Sequence, residues 1–148
     1  MLNPNDKDGD SIPDIWETKK LDINKDNIPD IDLPSLGADP DHKDIFVEVD
    51  YMKDRKPTPK ALNLVVSQFD HAPLCNPDGI TGISLHILVD EEIDHERYVN
   101  IDDLKRIKTD HLGTKDERNN TNFDNIRKVK DLVFYYSLFV DVHILLHG

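Results

Sequence analysis

Residues 42–52, HKDIFVEVDYM, decide the fold class. Ile45, Val47 and Val49 alternate with Asp44, Glu48 and Asp50, and Phe46 falls on the acidic side of the alternation. A period of two built from β-branched and aromatic residues predicts a strand. Just downstream, TPKALNLVVSQFDHAP (58–73) offers Thr58 as an N-cap and Pro59 at the first helical position. Its Leu62, Val65, Val66 and Phe69 recur at helical spacing and make one apolar face. After the turn residues NPDG (76–79), GISLHILVDEE (82–92) reads as a second strand. Strand, helix and strand joined by short connections predict a right-handed βαβ unit with parallel strands. The fold class expected is therefore α/β, with α+β the alternative.

Farther downstream the pattern weakens. NIDDLKRIKTDHL (100–112) predicts a helix capped at Asn100 with Leu104, Ile107 and Leu112 on a ragged apolar face. GTKDERNNTN (113–122) reads as an exposed loop. From Phe123, the residues Ile126, Val129, Val133, Tyr136 and Val140 keep helical spacing and predict one long helix, apolar nearly all round from Leu132 and so expected to be buried. That helix is expected to run to the end of the chain without a cap or polar tail.

Upstream, the composition changes. The 148 residues carry a formal charge of −12, and the segment through Asp54 holds 15 acids against 6 bases, which is −9 of that total. Such a balance disfavours nucleic acid and anionic membranes as partners and favours cations. No apolar run is long enough to span a bilayer, and no basic-then-apolar leader precedes the acidic segment. The single cysteine, Cys75, has no partner for an intramolecular disulfide and is expected to be a buried thiol. Residues 1–42 are read as an acidic arm and residues 43–148 as the α/β domain.

The arm contains a repeat. DKDGDSIPDIWE (6–17) and DINKDNIPDIDL (22–33) share D-x-[DN]-x-D-[SN]-I-P-D at an offset of 16 residues. A hard dication takes six to eight oxygens, and a twelve-residue loop supplies them from positions 1, 3, 5, 7, 9 and 12. In the first unit those positions are Asp6, Asp8, Asp10, the carbonyl of Ile12, Asp14 and Glu17. Position 6, where glycine is preferred, holds Ser11, which makes the turn costlier. Ser11 and Pro13 are placed to start a short helix that holds Glu17 over the ion. The second unit offers Asp22, Asn24, Asp26, the carbonyl of Ile28 and Asp30, but position 12 is Leu33, so this site is expected to be the weaker. Calcium is the ion expected, one or two per chain; magnesium holds its waters too firmly to favour such a cage.

DKDGDSIPDIWE resembles the thrombospondin type 3-like calcium repeat, which also lies next to the activation region of bacterial binary-toxin translocation components. The continuation DINKDNIPDIDLPSLGADPDHKDIFVEVDYM (22–52), with ALNLVVSQFDHAP, NPDGITGISLHILVD and FYYSLF, resembles bacterial secreted zinc-metalloprotease-like proteins. That resemblance implies an extracellular or cell-surface location and an α/β catalytic domain with an H-E-x-x-H zinc helix downstream. Here the nearest match is HILLH (143–147), in which His143 and His147 have the ligand spacing but Ile144 stands at the catalytic glutamate. His42, His71, His86, His95 and His111 form no cluster along the sequence. The reading is a calcium-binding module of a metalloprotease-like protein, lacking the zinc helix and not catalytic by itself, with zinc not expected. The alternatives are a zinc-dependent peptidase and a calcium-stabilised adhesion or toxin-associated interaction domain.

Overall fold

The computed structural model describes residues 5–141. In chain order it contains α1 (Asp14–Thr18), a 3-10 turn (Pro34–Leu36), β1 (Asp44–Met52), α2 (Pro59–Asp70), β2 (Ser84–Ile93), α3 (Ile101–His111), α4 (Lys115–Arg118), α5 (Phe123–Val133) and β3 (Phe134–Phe139). The three strands form one sheet in the order β2-β1-β3, and both pairings are parallel. The mixed helices and small parallel sheet are those of an α/β fold.

The βαβ unit follows from local chemistry. The Thr58 hydroxyl accepts from the Ala61 N–H at 3.2 Å, and Pro59 starts α2 with a backbone already set for a helix. The return to β2 needs Gly82, whose φ is +129°; a Cβ there would meet the Asp70 carbonyl oxygen at 2.4 Å. No residue of α2 is buried, and Leu62, Val65 and Phe69 line a cavity of about 380 Å³ with Ile45, Val47 and Val49 of β1.

The alternation along β1 usually places the apolar set inward and the polar set in water. Here the set carrying the acids is the more deeply buried. Phe46 is 1% exposed, Glu48 and Asp50 are fully enclosed, and Asp44 is buried. Phe46 joins a core built from Ile12, Leu21, Ile31 and Leu33 of the arm and Ile126, Val129, Val133 and Phe134 farther on. Arm and sheet therefore share one apolar core. Glu48 is tied to α5 by Lys130 at 2.6 Å and to the α3–α4 turn by the Gly113 N–H at 2.6 Å. Asp50 accepts from the Tyr136 hydroxyl at 2.6 Å.

Three expectations fail. The long C-terminal helix stops at Val133, and Phe134 turns directly into extended backbone (φ −98°, ψ 131°) to start β3. Ile126, Val129 and Val133 keep their helical face in the core, but Tyr136 belongs to a strand, and Leu132 and Tyr135 are exposed rather than buried. The physical reason is that FYYSLF is aromatic-rich and pairs with β1, a tertiary gain that overrides local periodicity. The expected loop at 113–122 contains α4, where Thr114 and Glu117 cap each other's backbone N–H groups. Cys75 is exposed, because it lies in the turn beside Asn76 rather than on a core-facing element. The pair His143 and His147, with Ile144 between them, lies outside the described residues.

Candidate metal centre

The two acidic repeats share their turn geometry. Gly9 and Ser11 have positive φ in the first loop, and Lys25 and Asn27, 16 positions on, have it in the second. The Asp10 N–H bonds Asp8 Oδ1 and the Ile12 N–H bonds Asp10 Oδ1; the Asp26 N–H bonds Asn24 Oδ1 and the Ile28 N–H bonds Asp26 Oδ1. The Lys7 N–H donates to Asp14 Oδ1 at 2.8 Å, and the Ile23 N–H donates to Asp30 Oδ2 at 2.6 Å. Position 9 thus closes each loop onto its own backbone. The cost foreseen at Ser11 is real: its φ is 82°, a conformation that side chains rarely adopt.

The first loop and Asp44 crowd five carboxylates together, and the Lys43 ammonium beside Asp8 offsets only part of that charge. Oxygens of Asp6, Asp8 and Asp10 lie within 4.8 Å of one another, and so do oxygens of Asp10, Glu17 and Asp44, so Asp10 joins the two groups. Glu17 projects from α1, is 2% exposed, and has no hydrogen-bond partner on either carboxylate oxygen. The Asp8 Oδ2 is also buried and unpartnered. Burial pushes Glu17 up to about 9, and repulsion from Asp10, Asp8, Asp44 and Asp14 adds to it. Burial likewise pushes Asp8 up to about 6. A carboxylate enclosed among carboxylates is unfavourable unless a cation sits between them. The set is all oxygen, which suits a hard dication.

Of the residues singled out in the sequence, Asp6, Asp8, Asp10 and Glu17 come together here. Asp14 is turned to the Lys7 N–H, and Ile12 places its side chain in the core. Asp44 was missed. It comes from β1, and its N–H donates to Asp10 Oδ2 at 2.8 Å while Lys43 Nζ donates to the Asp8 carbonyl. Its signal in the sequence was an acid at the first position of a strand, which alternation alone does not separate from any other.

The second loop differs at its closure. Asp22, Asn24 and Asp26 accept from the loop's own N–H groups, and Asp30 is held by Ile23 and by the Asn122 amide. Ile28 is exposed. Leu33, at the position equivalent to Glu17, is fully enclosed in the apolar core. One repeat therefore ends inside on a carboxylate and the other on a methyl-bearing anchor.

A further group, Asp50, Glu91 and His111, also brings ligand atoms within 4.8 Å. Its ligand atoms already have partners within the protein. Arg118 meets Glu91 Oε1 at 2.6 Å, His111 Nδ1 meets the same oxygen at 2.7 Å, and Tyr136 and the Glu91 N–H donate to Asp50. A β-bulge between Val49 and Tyr51 of β1 and their β2 partners brings this end of β2 out of simple register. No family model, curated protein or solved structure matches the chain.

Proposed function

We propose that the chain is a calcium-binding module in which one ion, held by Asp6, Asp8, Asp10, Glu17 and Asp44, fastens the acidic arm to the first strand of the sheet. The observation that carries this reading is Glu17, enclosed beside Asp10 and Asp44 with both oxygens unpartnered. The ligands come from two places, the loop and β1, so the ion acts as a clamp rather than as decoration of a loop. The second loop is the structural copy, closed by Leu33. Dissociation constants of extracellular calcium modules lie around 10⁻⁴ to 10⁻³ M, which suits a protein working outside the cell. The resemblance to secreted metalloprotease-like proteins supplies a context for such a module, without catalysis by this chain itself. Among the described residues no helix is long and apolar enough to cross a membrane.

Isothermal titration of calcium into the chain tests this. The expected result is one saturable site, weakened at least about tenfold in Glu17→Gln, since one charged ligand of the shell is removed. Magnesium at the same concentration should give little heat. Absence of saturable binding by the wild-type chain overturns the reading.

A further inference from the structure

We propose that His86 is a positioning residue for the calcium centre, acting through Asp44. The inference rests on the calcium reading of the first loop. Asp44 is the ligand that the loop does not supply, and a ligand on a sheet must be aimed before an ion arrives. Both of its oxygens are held: His86 Nε2–H donates to Oδ1 at 2.5 Å, and the Asp39 N–H donates to Oδ2 at 2.7 Å. The imidazole is itself fixed. It sits on β2 directly across from Phe46 in the strand register and stacks on that ring with centroids 4.5 Å apart and planes 16° apart. Its Cε1 abuts Gly37, where an added Cβ would come within 2.8 Å. Gly37 has φ +102°, so a side chain is disfavoured there twice over, by backbone and by the ring. Strand β2, the turn before β1 and the core aromatic Phe46 therefore converge on one imidazole, whose single polar contact among the described residues is the ligand Asp44.

Hydrogen-bond partners of metal-ligating carboxylates typically alter metal affinity by about 10- to 100-fold when removed. The variant His86→Phe keeps an aromatic ring against Phe46 and removes the donor, and His86→Leu removes the donor with a smaller side chain should the larger ring not fit beside Gly37. His86→Gln restores an N–H that can reach Asp44. Calcium affinity is read by calorimetry and melting in chelator is read separately. The expected result is a loss of about 10- to 100-fold in affinity for His86→Phe or His86→Leu, most of it recovered in His86→Gln. His86→Leu should then cost little further affinity in the Asp44→Asn background, where the ligand it acts through is already gone. Wild-type affinity in the non-donor variants overturns the proposal while leaving the calcium reading intact. So does an equal loss in His86→Gln, or an undiminished effect of His86→Leu when Asp44 is already Asn. A wild-type chain that binds no calcium overturns the reading beneath it instead.

Discussion

Glu17, which is buried, and Asp90, which is half-buried, are both carboxylates pushed above their usual range, and they differ in what stands beside them. Glu17 has only other carboxylates, whereas Asp90 has Arg118 within 3.9 Å of the Oδ2 that lacks a hydrogen bond. Burial pushes Asp90 up to about 6, and Glu48, Asp50 and Glu91 add repulsion that Arg118 only partly offsets. The sign of the resulting pH dependence is fixed. A carboxyl that holds its proton more tightly in the folded state than in the unfolded one contributes stability below about pH 4, and that contribution is lost as pH rises through about 6. Asp90→Asn removes the charge without changing the shape. It should leave stability near pH 4 almost unchanged and raise it at pH 7 by about 1–2 kcal/mol, less than the full shift because Arg118 loses a neighbour. Urea melts at the two pH values check this; equal effects at both would show that Asp90 does not titrate in this range.

Strand β1, helix α2, strand β2 and helix α3 could be read from the sequence because each has its own local signal: alternation, the Thr58–Pro59 start, a second apolar run, and the Asn100 cap, which accepts from the N–H groups of Asp102 and Asp103. The turn from α5 into β3 could not. Ile126, Val129 and Val133 are truly helical, and the same spacing extends by chance to Tyr136, so the decision rests on pairing with β1, which is 80 or more residues away in sequence. Asp44 escaped for the same reason: its role exists only once β1 is laid against the loop. Lys130 also looks ordinary in sequence, yet it is 1% exposed and shared between Glu48 and Glu117, at 2.6 Å each. Removing one member of such a pair strands the other charge in the core. Lys130→Met should therefore destabilise by about 3–5 kcal/mol, and adding Glu48→Gln should return part of the loss, both measured by urea denaturation. A Lys130→Met protein as stable as wild type would mean that Glu48 does not depend on it.

Across the whole molecule, two opposing forces act on the arm. Ile12, Leu21, Ile31 and Leu33 draw it into the core with Phe46 and α5, while the carboxylates of the first loop press against Asp44 at the edge of that same core. Apolar burial does not depend on ions, so the balance is moved by whatever neutralises the loop. At about 1 mM calcium and an affinity near 10⁻⁴ M, binding adds about 1.4 kcal/mol. For a chain of this size that is a rise in Tm of about 3–6 °C over the chelated protein. Simple salt distinguishes a built centre from a merely acidic surface. Screening acts on charges in contact with water, and Glu17 and Asp8 are enclosed, so about 0.5 M sodium chloride should not reproduce the calcium effect. Hydrogen exchange should locate it, with calcium slowing the amides of residues 6–33 and those near Asp44 more than those of α2, which shares none of the centre. If sodium chloride raises Tm as much as calcium does, the carboxylates are being screened at a surface and the arm is held by its apolar anchors alone.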